Sequence, residues 1–313
     1  MKKLIILLLL AVLVLTSCSP GLESHTVMGM DTFITFTLEG DIPDGAQELL
    51  WKYEKMFSRT DPDAELYLYN SMEEHTPSEE LYALITEGLD ICEKTNGAFD
   101  IRLGALSELW DFTSDTPAVP AKSDIDGALE QISTVTVKDG RVKKNAAVKI
   151  DLGAIAKGYI AEKCTSYLKE NGFDRGIISV GGNISAFGKD ENDPWRIGIR
   201  NPREGDATIG YIEVCDGYIS VSGDYERYFI IDGVRYHHIL DPKTGYPAKS
   251  GLISVAVISQ SGALSDALST ALFVMGYDAS MELYGSGVYD FEAVFVLEDG
   301  TVRTTPDSGF IPN

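Results

Sequence analysis

Alternation of apolar and polar residues first becomes regular at Thr32 to Leu38, a run rich in Phe, Ile and Thr that predicts a strand. Asp44 can then cap a helix to about Phe57, with Leu49, Leu50, Tyr53 and Phe57 along one face. Pro77-Ser78 starts a second helix through Leu81, Leu84, Ile85, Leu89 and Cys92, stopped by Asn96-Gly97. Val135 to Val137, Arg141-Val142 across an Asp139-Gly140 turn, and Val148 to Ile150 predict short strands. A helix follows from about Ala154 to Lys169, closed by Asn171-Gly172. The pattern then changes. Gly176 to Val180, Trp195 to Arg200, Ile209 to Val214, Tyr218 to Ser222, Tyr228 to Ile231, Arg235 to Ile239 and Leu252 to Ile258 all read as strands, with hairpin turns at Asp216-Gly217 and Asp232-Gly233. A helix from about Ala263 to Met275 and a hairpin around Asp299-Gly300 complete the chain. Runs of hairpin-linked strands beside a few helices predict an α+β fold, with mixed, largely antiparallel sheets and packed helices rather than a doubly wound sheet.

The N-terminus changes the picture of where this fold works. Lys2 and Lys3 precede an apolar run from Leu4 to Leu15. A membrane span needs roughly 20 apolar residues, so this shorter run reads as a secretory leader. Leu15-Thr-Ser-Cys18 has the form of a lipobox, which predicts cleavage after residue 17 and lipidation at Cys18. The expected organisation is a signal peptide over 1–17, a lipid-anchored tether over 18–26 and one domain over 27–313. The expected location is the extracytoplasmic side of a bacterial cell membrane. Losing two lysines and no acids moves the net charge from −22 to −24. Such a surface is repelled by nucleic acid and anionic headgroups, so the anchor rather than a basic patch must hold it at the membrane. Cys92, Cys164 and Cys215 are odd in number, far apart and without a CxxC, which argues against a disulfide framework or zinc site and for buried free thiols.

Four segments place charged, hydroxyl or glycine groups where an apolar run meets a helix or turn. In Asp151-Leu-Gly-Ala-Ile-Ala-Lys157 the aspartate sits near a helix start, the small Gly153 and Ala154 allow a main-chain carbonyl to face a cation, and Lys157 reaches the same region. Alone, the segment fits an N-capping Asp with a surface Lys equally well. Gly181-Gly182 exposes consecutive amides suited to an anion, or makes a plain tight turn. His237-His238 closes a strand before Asp241-Pro-Lys-Thr-Gly245. One of the two is the obvious general base, His238 being the candidate, with Asp241 the next. Neighbours on a strand face opposite ways, so His237 is expected to be the tolerant one. Asp266 and Thr270 are four apart in a helix of otherwise small or apolar residues and share a face, which makes half of a magnesium shell.

Taken in order, Met28-Gly29, Gly97-Ala-Phe-Asp100, Asp151 to Gly158, Val180-Gly-Gly-Asn183, Ser222-Gly-Asp-Tyr225, His238 to Gly245 and Ser265 to Thr270 resemble the FAD:protein FMN transferase (ApbE) family over roughly residues 27–300. The resemblance implies magnesium-dependent cleavage of FAD. The FMN half passes to a Thr or Ser hydroxyl of an acceptor flavoprotein through a phosphoester bond, and AMP leaves. It implies that Ala154 (through its carbonyl), Asp266 and Thr270 hold Mg²⁺. Met28, Ser58, Ala98, Phe99, Asp100, Asp151, Lys157 and Leu240 would line the FAD site, several through backbone atoms, and His238 would be the base. The family motif reads Met-Gly-Thr where this chain has Met28-Gly29-Met30, so Thr32 is the candidate to supply the missing hydroxyl. An FAD pyrophosphatase would use the same metal and lysine. A non-catalytic flavin-binding lipoprotein would not need His238, Asp266 and Thr270 together.

Overall fold

The computed structural model describes residues 21–190, 193–205 and 207–313; the leader and Cys18 lie outside the described residues. The first half contains β1 (Leu22–Gly29), β2 (Thr32–Glu39), α1 (Asp44–Phe57), α2 (Glu65–Asn70), β3 (Glu74–His75), α3 (Glu79–Lys94), α4 (Gly104–Trp110), α5 (Lys122–Glu130), β4 (Thr136–Lys138), β5 (Arg141–Lys143) and α6 (Ala156–Glu170). The second half contains β6 (Gly176–Val180), β7 (Asn183–Phe187), β8 (Trp195–Arg200), β9 (Thr208–Val214), β10 (Gly217–Gly223), β11 (Tyr228–Ile231) and β12 (Val234–His237). It ends with β13 (Leu252–Ser259), α7 (Gly262–Met275), α8 (Tyr277–Ser286), β14 (Glu292–Leu297), β15 (Val302–Thr304) and β16 (Phe310–Pro312). The expected α+β architecture is found, with antiparallel sheets and packed helices.

Eight strands form the central sheet in the order β1-β2-β6-β7-β10-β13-β14-β15, each pair antiparallel. Its two faces are sorted by the period of two along each strand. Val255 and Val257 of β13, with Phe36, Ile178 and Phe295, face α1, α6 and α7 in the main core. The intervening Ala256, with Ala186, Ile219 and Val294, faces the other way onto Trp195, Ile197 and Ile212 of the smaller sheet β16-β9-β8. A third cluster gathers Leu106 and Trp110 of α4, Ile125 of α5, Phe229 of the β11–β12 hairpin and Leu240. Full burial of each such side chain is worth about 1.5–3 kcal/mol, so these clusters fix how the hairpin and loops sit on the sheet.

Two expectations change. The expected tether is 18–26, but Leu22–Gly29 is an edge strand on β2. Its exposure pattern is mostly open, so no apolar alternation marks it. Val148 to Ile150 is not a ladder strand; only Lys149 makes an isolated parallel bridge, to Leu103. Instead Asn70 takes both backbone groups of Ile150, at 2.8 and 2.9 Å, and so fixes the approach to Asp151. The three cysteines beyond the N-terminus are free, with Cys92 and Cys164 buried as expected.

Candidate active site

Helices α6 and α7 touch backbone to backbone. A Cβ on Gly158 would lie 1.9 Å from the Gly262 carbonyl oxygen, and one on Gly262 would lie 2.2 Å from the Gly158 carbonyl oxygen. Only glycine at both positions permits this crossing. Each helix then lends a carboxylate to the other: Glu162 of α6 accepts from Gly262 N–H at 2.8 Å, and buried Asp266 of α7 accepts from Gly158 N–H at 2.9 Å. Gly158 is the third residue of α6, so its N–H is one of the amides that a helix start leaves without a partner in its own helix, and Asp266 caps it. Among the described residues the Ala154 carbonyl, ahead of the helix, accepts no backbone hydrogen bond. The crossing therefore brings a buried carboxylate to the start of α6.

Thr270 lies one turn beyond Asp266, half-buried. Its hydroxyl is 3.2 Å from Ser222 Oγ, which also meets Ser269 Oγ at 2.8 Å. Carboxylate, carbonyl and hydroxyl are hard oxygen donors of the kind Mg²⁺ takes. Among the described residues no group of three or more His, Cys, Asp or Glu is placed to hold a metal.

The first turn of α6 carries no acid of its own, and Ile155 at its N-cap offers no side-chain cap, so Asp266 is the carboxylate that meets it. Lys157 stands there with Nζ 2.7 Å from Gly153 O. Asp151 accepts from Gly153 N–H at 2.9 Å and pairs with Arg59 at 3.1 Å.

The two histidines have different surroundings. His237 closes β12, is 6% exposed, and stands edge-on to Phe273 of α7 at 5.4 Å. Its Nε2 meets the Ala248 carbonyl at 3.2 Å. This corrects the expectation of a tolerant neighbour: His237 points to the other face, as the strand requires, but that face is core. His238 keeps solvent contact, and its Nδ1 meets the Arg227 carbonyl at 3.3 Å. A carbonyl only accepts, so Nδ1 carries the proton and Nε2 is left as the base. Desolvation, then the charges of Lys157, His237 and Arg227, lower the His238 pKa from its usual value, so the ring is neutral at neutral pH. Asp241 is spent on its own turn, accepting from Lys243 N–H at 2.9 Å and Thr244 Oγ1–H at 3.3 Å. That is a turn-closing role.

The remaining candidates fall around this centre. Asp151 N–H donates to Ile101 O at 2.7 Å, which ties the Ala98–Asp100 segment to it. Phe99 and Leu240 bury their side chains in cores, and Ala98 is 7% exposed, so these residues offer main chain rather than side chain. The Asp100 carboxylate is saturated by Arg102 at 2.7 and 2.8 Å. Ser58 caps the Thr60 and Asp61 amides beyond α1. One turn earlier on α1, Glu54 accepts from Met30 N–H at 3.0 Å, holding the β1–β2 turn. Met28 is exposed there beside its cross-strand partner Phe33. Gly181 and Gly182 both have positive φ, and Gly181 abuts Thr32 Oγ1, so Thr32 does bring a hydroxyl to this corner.

The profile of the ApbE family matches residues 28–295. The chain belongs to the ApbE family. It is a transferase enzyme with the ApbE fold. The FAD:protein FMN transferase of Treponema pallidum is 34% identical over 285 residues, covering 82% of this chain and 77% of that protein. The Vibrio cholerae FAD:protein FMN transferase is 30% identical over 316 residues, covering 93% of each. Among solved structures, the ApbE protein of Thermotoga maritima superposes with a TM-score of 0.83 at 35% identity, covering 91% of this chain and 97% of that one. The flavinyl transferase ApbE of Pseudomonas stutzeri superposes at 0.80 with 29% identity, covering 91% and 95%.

Sequence reasoning missed Arg59, which pairs with Asp151, and gave no role to Ser222 or Gly158. A signal existed for Gly158. Glycine inside a helix costs about 1 kcal/mol against alanine, so its presence points to a close backbone approach.

Proposed function

We propose that this ApbE-family protein is a magnesium-dependent FAD:protein FMN transferase acting on a Thr or Ser hydroxyl. The observation that carries the reading is the bond from Gly158 N–H to Asp266, which brings that buried carboxylate to the start of α6, where Lys157 stands, and one turn of α7 from Thr270. Mg²⁺ held by Asp266, Thr270 and the Ala154 carbonyl would neutralise the pyrophosphate charge that otherwise repels a nucleophile. Lys157 at the start of α6 binds the same phosphates. Arg59 orients Asp151 and fixes the loop ahead of α6. His238 Nε2 takes the proton of the acceptor hydroxyl, whose oxygen bonds to the FMN phosphorus. The bond from that phosphorus to the bridging oxygen breaks, and AMP leaves with that oxygen. The lipobox supports lipidation at Cys18 and an extracytoplasmic place at the cell membrane.

The test is incubation with FAD, Mg²⁺ and an acceptor flavoprotein, followed by intact mass and AMP analysis. Expected are an acceptor heavier by one FMN group, stoichiometric AMP, and near-abolition by Asp266→Ala. Free FMN and AMP with every acceptor would replace the reading by a pyrophosphatase. Full magnesium-dependent turnover in Asp266→Ala would remove the metal assignment.

A further inference from the structure

A threonine hydroxyl can turn either its proton or its oxygen toward a ligand, and only the oxygen suits a cation. For Thr270 the surroundings decide which. Ser220 and Ser222 lie two apart on β10, so both side chains face α7. Ser220 Oγ stands 2.9 Å from Ser265 Oγ, and Ser222 Oγ stands 2.8 Å from Ser269 Oγ. In each pair the helix serine also reaches a carbonyl of its own helix, Ser265 to Gly262 O at 3.0 Å and Ser269 to Asp266 O at 2.8 Å. A carbonyl only accepts, and a hydroxyl has one proton to give. Each helix serine therefore donates to its carbonyl and accepts from the strand serine.

The Ser222 pair continues one step further. Thr270 Oγ1 lies 3.2 Å from Ser222 Oγ. Ser222 has already given its proton to Ser269, so toward Thr270 it can only accept. The order of donation is Thr270 to Ser222, Ser222 to Ser269, and Ser269 to the Asp266 carbonyl. Among the described residues the Thr270 hydroxyl has no other side-chain partner. Its proton is turned toward the sheet, and both lone pairs of its oxygen are left for a ligand. The series ends on the main chain of Asp266, whose carboxylate caps α6 at Gly158.

We propose that Ser222, with Ser269 behind it, is a positioning residue of the metal site, fixing the Thr270 hydroxyl so that it shows oxygen and not hydrogen to Mg²⁺. This rests on the reading above in which Thr270 holds the metal. Partners behind a metal ligand of this kind are typically worth about 10- to 100-fold in metal affinity.

The probe is Mg²⁺ alone, titrated calorimetrically into the protein without FAD, with Tm in EDTA measured beside it. Ser222→Ala should raise the Mg²⁺ Kd by about 10- to 100-fold, and Ser222→Thr, which keeps the hydroxyl, should stay near the wild type. Ser269→Ala keeps Ser222 but frees its proton to face Thr270, so Mg²⁺ should weaken there too. Ser220→Ala is the control: it removes a like bond one turn earlier on α7 and should lower Tm without changing the Mg²⁺ Kd. In a Thr270→Val background Ser222→Ala should change the Kd no further, because it acts through Thr270. An unchanged Kd in Ser222→Ala or Ser269→Ala, while Thr270→Val weakens Mg²⁺, overturns the proposal and leaves the metal reading standing. An equal loss in Ser220→Ala also overturns it, since the serines would then act only by packing α7. If Thr270→Val binds Mg²⁺ like the wild type, or the wild type binds none, the metal reading itself has failed and the role of Ser222 falls with it.

Discussion

Gly158→Ala tests the geometry on which the centre depends. The added Cβ would sit 1.9 Å from the Gly262 carbonyl oxygen and 2.7 Å from Asp266 Cβ, whereas ordinary contact begins at 3.4 Å. Helices α6 and α7 must therefore separate by roughly 1.5 Å at a point where both are backbone and neither can yield by rotating a side chain. That shift takes the 2.9 Å Gly158–Asp266 bond out of range. Overpacking costs about 1–3 kcal/mol, and a lost bond to a charged group about 1.5–3 kcal/mol. The better helix propensity of alanine returns about 1 kcal/mol. The net destabilisation is about 1.5–5 kcal/mol, a fall in Tm of roughly 3–10 °C for a chain of this size. Thermal unfolding with and without Mg²⁺ reads both halves of the argument. In the wild type, Mg²⁺ at a hundred times its Kd should stabilise by about 2.7 kcal/mol, and Gly158→Ala should lose most of that shift. Gly127→Ala is the control: it lies inside α5 with nothing within 4 Å of its added Cβ, and it should be neutral or up to about 1 kcal/mol stabilising. A Gly158→Ala protein that melts with the wild type and responds equally to Mg²⁺ would refute the account.

Lys157→Ala should weaken FAD binding far more than riboflavin binding in a fluorescence titration, because the charge removed acts on phosphate; equal losses would move Lys157 away from the pyrophosphate. His238→Ala should slow single-turnover transfer by about 10² to 10⁴ while FAD still binds, and His237→Ala should instead lower stability by about 2–4 kcal/mol through a cavity on Phe273 and an unpaired Ala248 carbonyl. Burial lowers the His237 pKa, so the folded state binds fewer protons than the unfolded one. The associated stability is present above the ordinary value of 6.5 and is lost as pH falls below it, so Tm should drop on acidification and drop less in His237→Phe. Cys18→Ser should release the protein from membranes on fractionation; continued membrane partition with normal processing would count against the anchor.

Long, strongly patterned elements were legible in the sequence. α1, α3, α6 and α7 and most strands of the second half lie within about two residues of their expected bounds, because each buries one apolar face and carries a stop signal. Several elements that escaped lacked such a face. β1 is an exposed edge whose Ser24 and Thr26 meet Thr37 and Thr35 through hydroxyls rather than apolar contacts. α4 is seven residues long with no side-chain cap, and its Trp110 is held by distant Gly245 through a 2.8 Å bond. Tertiary partners of this kind leave no local periodicity to read.

The site divides along the same line. Residue types that supply the chemistry could be named from their segments, since an Asp and Thr one helical turn apart, or a His at a strand end, have local meaning. How they act together could not. The start of α6 is capped by the Asp266 carboxylate, more than a hundred residues away in sequence. That carboxylate arrives because two glycines, each unremarked within its own helix, let the helices meet at backbone distance. The Asp241 carboxylate, equally acidic and nearer to His238 in sequence, closes its own turn instead. The difference between the two aspartates is one of convergence: Asp266 faces another helix start across the crossing, and Asp241 faces the amides of its own loop.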